Sequence, residues 1–411
     1  MKICIIASMF TPYARGGAET VAYTCASLFT KSGEVVVITA APWQGIRSLA
    51  GAWSIEDGIR VFRFTPFNLF SIFHIAKYPA LLRLFWHVLD MFNPHTFLVV
   101  RKILRQEKPD LILTHNLKGL GYTIPMAIRY TLHATRYATK WFHTLHDMAL
   151  LHPTGLRIWL KEESFEQKNP FVSLYRWCTR KLFGSPEVVI SPSQFLLNEY
   201  RARGFFKKSK TAVVRNPVRR EQLQEVTEGY KKLQKVKLFR FLYLGQLEPY
   251  KGLRLLLGLW REFSAVHKEA ELMIAGGGSM REEVEQAANQ LTRVYYAGLV
   301  RHDELSSLLG EAHCTVLPSL AYENSPTIVG ESFTHGVPVV ASRIGGIPEL
   351  IKEGGDGFLF EPGNVLGLKE AMEKAMNSWA QAREGAQKSA RAFSVEAYRD
   401  KLEELIGICN F

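Results

Sequence analysis

The stretch CTVLPSLAYENSPTIVGESFTHGVPVVASRIGGIPELI, residues 314–351, decides the fold. Four apolar residues, Cys314 to Leu317, end at Pro318, and a loop carrying Glu323 and Asn324 follows. Ser325 as N-cap and Pro326 at the first helical position then open a helix, and Gly336-Val337-Pro338 returns the chain to a second apolar run. Strands that are apolar on both faces, joined by a helix, are what a parallel sheet covered by helices requires. In such a sheet the strand's carboxyl end and the next helix's amino end face the ligand crevice. Free N–H groups and the positive dipole end can hold a diphosphate there without a metal. Glu331 falls in the second turn with its side chain tilted toward the helix start. Among apolar neighbours its carboxylate needs hydrogen-bond donors, which two ribose hydroxyls would supply. The plainer reading of the same residue is a carboxylate that favours a helix amino end by about 0.3–1 kcal/mol.

The pattern repeats outward. Apolar runs at 2–7, 35–39, 111–114, 141–145, 188–190, 239–244, 272–275, 294–297 and 337–341 are separated by helix-compatible stretches. A chain of 411 residues exceeds what one core supports, so two successive α/β domains are expected. The boundary is placed in the polar segment from Asn216-Pro217 to Lys237. The first domain is then 1–217 together with a C-terminal helix, 394–411, capped by Ser394, and the second is 218–393. Apolar residues at 47% and charged residues at 22% exclude a disordered chain. Cys4, Cys25, Cys178, Cys314 and Cys409 are scattered and form no C-x-x-C pair, which fits reduced thiols in the cytoplasm. MKICIIASMF reads as a buried first strand rather than a secretion signal.

Other segments aim chemistry at the same crevice. In FLYLGQLEPYKGLRLLL, residues 241–257, a strand and glycine turn carry Lys251, a mobile cation suited to charge on a departing diphosphate, or simply a solvated lysine at a helix start. MIAGGGSM, residues 273–280, is a strand with a glycine turn that forms no dinucleotide fingerprint. Gly16-Gly17, before the helix that follows the first strand, lets the backbone approach phosphate or sugar, or serves as an ordinary turn. His146 ends the strand in WFHTLHDMALL, residues 141–151, where it is either a ligand-facing group or a satisfied core histidine. His143 and His152 make no ligand set with it and no D-x-D occurs, so no metal and no cofactor are expected.

Glu323 and Glu331 make the spacing E-x7-E, followed by Gly336-Val337-Pro338, Gly345-Gly346 and Pro348-Glu349. This block resembles the donor-site signature of glycosyltransferase family 4, and the resemblance runs along nearly the whole chain. It implies a GT-B fold, two Rossmann-like parallel-sheet domains facing across a deep cleft. It implies a retaining, metal-independent enzyme that moves a hexose-type sugar from a nucleotide diphosphate sugar to a glycan or lipid-linked acceptor. By that resemblance Glu331 holds the ribose, Glu323 the donor sugar's hydroxyls, and the amides around Asn324, Ser325, Pro326 and Thr327 the diphosphate. Gly277 forms a wall of the nucleotide pocket, Gly298 and Leu299 lie near the base, Gly16-Gly17 close onto the donor, and His146 bonds its sugar. His146, Lys251 and Glu323 form the catalytic group. The family usually has Arg where this chain has Gln246, which removes one cation from the donor site. A non-catalytic sugar-nucleotide-binding scaffold and a sugar-nucleotide epimerase of similar architecture are the alternatives.

Net charge is +12, and it is unevenly spread. Residues 1–215 hold 28 Lys+Arg against 13 Asp+Glu, whereas residues 216–411 hold 23 against 26. A basic half attracts acidic partners, and with no nucleic-acid motif present the anionic membrane or the pyrophosphate-bearing substrate is the expected one. Residues 64–104 place many aromatics among Lys77, Arg83, Arg101 and Lys102 with no run long enough to span a bilayer. Two readings stand: a pair of interfacial helices on the inner face of the cytoplasmic membrane, or an ordinary core-covering pair.

Overall fold

A computed structural model describes residues 1–13, 16–31, 33–135, 139–162, 170–218 and 238–407. The expected linker lies outside the described residues from position 219 to Lys237, as does Cys409. The chain divides into two compact units. One comprises Met1–Leu156, Glu166–Val214 and Lys401–Phe411; the other comprises Arg157–Phe165 and Arg215–Asp400.

In the first unit the strands are β1 (Lys2–Ile6), β2 (Glu34–Ala40), β3 (Ala52–Glu56), β4 (Ile59–Phe64), β5 (Leu111–Thr114), β6 (Lys140–Thr144), β7 (Val188–Ser191) and β8 (Lys210–Val213). They form one eight-stranded sheet in the order β3-β4-β2-β1-β5-β6-β7-β8. Every pairing is parallel except β3 with β4, a hairpin closed by Asp57 and Gly58, both at positive φ. Central strands such as β1 and β5 are apolar because helices cover both faces. The helix Gly17–Phe29 presents Val21, Ala22, Cys25 and Phe29 to the sheet at helical spacing.

In the second unit β9 (Phe239–Leu244), β10 (Ala270–Ala275), β11 (Val294–Tyr296), β12 (Cys314–Leu317), β13 (Val339–Ser342) and β14 (Gly357–Phe360) form a wholly parallel sheet ordered β11-β10-β9-β12-β13-β14. The helix Leu253–Val266 buries Leu253, Leu256, Leu257, Trp260 and Phe263 in a core shared with Phe241, Leu272, Val316 and Val340. Burying side chains of this size contributes about 1.5–3 kcal/mol each. The chain is therefore two parallel-sheet α/β domains. Its last helix, Val395–Ile406, starts where expected, because Ser394 Oγ accepts from Ala397 N at 3.0 Å.

The aromatic stretch holds a 3-10 helix, Ile72–Lys77, and two α-helices of different character. Pro94–Glu107 buries Thr96, Val100, Ile103 and Leu104, as a core-covering helix does. Ala80–Met91 turns Trp86, Asp90 and Met91 inward but leaves Leu81 66%, Phe85 56% and Val88 50% exposed, beside exposed Lys77 and Arg83. Neither reading of the segment describes both helices. Among the described residues no helix is long and apolar enough to cross a membrane.

Candidate functional site

The carboxyl ends of β9, β10 and β11 are tied into a wall. The register Leu244↔Ala275 and Ile274↔Tyr296 aligns the strands, so Gly245, Gly276 and Gly298 follow them side by side. Gly276 N donates to Gly298 O at 2.8 Å and Leu247 N donates to Gly277 O at 2.9 Å. A Cβ on Gly276, whose φ is +140, would stand 1.8 Å from Gly245 O, so only glycine permits this approach. Ser279 N and Oγ donate to the Glu248 carboxylate at 2.9 and 2.7 Å, which holds the glycine turn closed. Leu299 is 80% exposed, with its Cδ1 3.4 Å from where a Gly277 Cβ would lie. Gln246 is exposed; its side-chain oxygen accepts from Tyr250 at 3.1 Å, so its amide is held along the wall.

Lys251 and Glu323 meet at the end of β12. Lys251 Nζ lies 2.6 Å from Glu323 Oε1, with the two side chains 21% and 15% exposed. Ser319 Oγ donates to the same oxygen at 2.9 Å. The approach depends on Gly252, at φ +74, since a Cβ there would stand 1.7 Å from Pro318 O. Leu320 N donates to Tyr250 O at 2.8 Å and seals the turn against the loop. On the other side Gly346 N donates to Glu323 O at 2.7 Å, and Gly345, at φ +61, admits that carbonyl.

The helix following this loop runs Thr327–Thr334, one residue later than expected. Pro326, at ψ +123, is the N-cap and Ser325 lies outside the helix, its carbonyl accepting from Asn216 Nδ2 at 3.2 Å. The extended ψ keeps proline out of the first turn, so Thr327 and Ile328, which both carry N–H groups, occupy the positions that lack intrahelical acceptors. Asn324 is half-buried in the loop before it. Glu331 is partly exposed at its edge, but desolvation of its carboxyl raises it from the ordinary 4.5 to about 7, opposed by a hydrogen bond from Thr327. A carboxyl raised this far by burial is the kind of group that clusters at functional sites.

In the first unit, Gly16 caps the helix Gly17–Phe29 with φ −160, an extended conformation open to any residue. Among the described residues a Cβ there would meet only the Glu19 carboxylate, at 3.3 Å. The local backbone thus gives no reason for glycine at this position. His146 lies two residues past β6 and bonds His115 at 2.9 Å. Desolvation lowers it from 6.5 to about 4. His143, in contrast, is a core residue, bonded to Thr114 Oγ1 at 2.9 Å and packed on Phe183. Among the described residues no group of three or more His, Cys, Asp or Glu side chains could hold a metal ion. Two members of these clusters were missed in the sequence. Ser319 and His115 each follow a strand within two residues, the same strand-end position that singled out His146.

Residues 15–222 match the model of Glycosyltransferase Family 4, and residues 227–393 match that of Glycosyl transferases group 1. The chain belongs to glycosyltransferase family 4. This family 4 chain is 22% identical, over 85% of its length and 87% of the relative, to an uncharacterized 42.6 kDa protein in the cps region of Klebsiella pneumoniae. A shorter stretch, 30% of this chain and 24% of the relative, is 34% identical to sulfoquinovosyl transferase SQD2 of Arabidopsis thaliana. The same fold is found in Anabaena Alr3699/HepE, solved in complex with UDP, at a TM-score of 0.71 with 20% identity, covering 99% of this chain and 100% of that one. This family 4 glycosyltransferase therefore has the GT-B fold.

Proposed function

We propose that the chain is a retaining, metal-independent transferase that moves a hexose-type sugar from a nucleotide diphosphate sugar to a glycan or lipid-linked acceptor in cell-surface polysaccharide or glycolipid assembly. One observation carries the reading: Lys251, after β9, pairs with Glu323, after β12, and the loop bearing Glu323 leads into the start of the helix that carries the desolvated Glu331. Lys251 has three N–H donors, so it can keep Glu323 and still take a phosphate oxygen. Glu331 grips the ribose, Glu323 the sugar, and the Thr327 and Ile328 amides the diphosphate. The proposal also assigns Gly16-Gly17 and His146 to the donor sugar. That the Anabaena neighbour was solved with UDP-glucose supports a nucleotide diphosphate hexose.

In the proposed front-face displacement the bond from the anomeric carbon to the leaving diphosphate oxygen breaks, and a bond to the acceptor oxygen forms on the same face. The acceptor's hydroxyl proton passes to the leaving diphosphate, whose charge Lys251 and the helix start stabilise. A panel of nucleotide diphosphates and their sugars should raise the melting temperature for one base above the others. With that donor, product release should persist at full rate in a strong chelator. Loss of turnover on chelation would sink metal independence; the absence of any free nucleotide diphosphate would favour the scaffold reading, to which Gln246 gives its support.

The exposed apolar face of Ala80–Met91, flanked by Lys77 and Arg83 on a basic unit, favours an anionic membrane as the surface on which a lipid-linked acceptor is met. Flotation should carry the protein with anionic but not neutral vesicles at low salt. Leu81→Ser/Phe85→Ser should stay behind. Equal flotation of the variant would remove this helix from the account.

A further inference from the structure

The geometry points to His115 as a positioning residue that fixes the proton of His146 on Nδ1, so that His146 meets the donor sugar as a hydrogen-bond donor. This rests on the role proposed above for His146.

His115 directly follows β5 and is 1% exposed, whereas His146 is partly exposed, so His115 stands behind it. The pairing of Thr114 with His143 sets the ends of β5 and β6 side by side. His115 cannot easily move: its N donates to Ile6 O at 2.9 Å, and the next carbonyl, of Asn116, accepts from Ser8 N at 2.8 Å. Both bonds anchor the end of β5 to β1. Leu145 N is likewise tied to Ile190 O at 2.8 Å, and Tyr200 Oη donates to Asp147 O at 2.9 Å, so the segment bearing His146 is held on either side.

His115 Nδ1 and His146 Nε2 are 2.9 Å apart, with ring planes inclined by 22°. Burial lowers His115 well below 6.5 and His146 to about 4, so both rings are neutral at neutral pH. Two neutral imidazoles share this bond only if one supplies N–H and the other a lone pair. The remaining nitrogen of His115, Nε2, is buried with no hydrogen-bond partner among the described residues. A proton on Nε2 would be an orphaned N–H donor, whereas a proton on Nδ1 is used, leaving only an unfilled acceptor behind. Orphaned buried N–H groups are the rarer of the two. His115 Nδ1–H therefore donates to His146 Nε2, and the proton of His146 resides on Nδ1.

The test uses full-length protein with 15N-labelled histidines and two-bond 1H–15N correlation at neutral pH. It is repeated with His115→Asn, whose amide N–H can stand where Nδ1–H stood, and His115→Leu, which has no donor. Wild type and His115→Asn should show His146 protonated at Nδ1; His115→Leu should show a mixture with Nε2–H. With the donor found above, kcat/KM of the Asn variant should stay within about threefold of wild type, and that of the Leu variant should fall about 10- to 100-fold. A wild-type His146 protonated at Nε2 overturns the inference, and this spectrum decides even where His115→Leu fails to fold. Equal losses in the Asn and Leu variants overturn the positioning role. An unchanged kcat/KM for His146→Ala overturns instead the role of His146 at the sugar, and the spectrum then still reports the proton.

Discussion

Lys251→Ala is expected to lower turnover by about 10²- to 10³-fold, the loss typical of removing one preorganised donor from a developing oxyanion. The side chain is compact, fixed by Glu323 at 2.6 Å and carried on a turn that Gly252 allows to touch Pro318. The fold should notice much less. Glu323 keeps the Ser319 hydroxyl at 2.9 Å, and the pair retains some exposure, so a stability loss of about 1–2 kcal/mol is expected. Steady-state release of nucleotide diphosphate and thermal melting measure the two effects separately. Wild-type turnover in a folded Lys251→Ala protein would end the proposal that this lysine carries the leaving group's charge.

Glu331→Gln should separate stability from binding. The folded carboxyl, raised to about 7, keeps its proton where the unfolded chain, at 4.5, has lost it. Between those values the native state binds more protons than the unfolded state, so wild-type stability falls as pH rises from about 4.5 to about 7 and then levels off. Glutamine abolishes this slope, and the variant should melt no lower than wild type at alkaline pH. Donor binding moves the other way. Ribose hydroxyls donate to a carboxylate more strongly than to a neutral amide, and hydrogen bonds to charged groups contribute about 1.5–3 kcal/mol each. The variant should bind the nucleotide about 10- to 100-fold more weakly above neutral pH. In wild type, affinity should rise as pH increases toward 7, with proton release on binding below it. Calorimetry in buffers of different ionisation enthalpy reads both. Equal affinities at alkaline pH would remove Glu331 from the ribose.

The central strands were legible because burial on both faces leaves an uninterrupted apolar run, as in Ile3–Ile6 and Val35–Ile38. The strands passed over are β3, β4, β8 and β14. β3 and β8 are sheet edges, with most of their residues exposed or half-buried, so neither writes an apolar run. In β4 the apolar run is broken by Arg60 and Arg63, yet Asp57-Gly58 before it was a hairpin signal in plain view. β14, also a sheet edge, opens on Gly357 directly after Gly354-Gly355-Asp356, which reads as a turn. In the candidate site, each segment's place at a strand end followed from parallel topology. The contact between Lys251 and Glu323, 72 positions apart, did not, because it depends on a backbone approach that only Gly252 admits. The helix start was misplaced by one residue because proline suits both the cap and the first turn, and only ψ distinguishes them.

The interlocked glycines after β9 and β10 limit how the proposed donor site can be altered. At Gly276 and Gly278 any added carbon collides with a neighbouring carbonyl, at 1.8 and 2.4 Å, so these positions are closed to substitution whatever nucleotide is wanted. A library aimed at a different sugar nucleotide would waste its diversity there. Leu299 and Gln246, both exposed, are where mutagenesis has room to act.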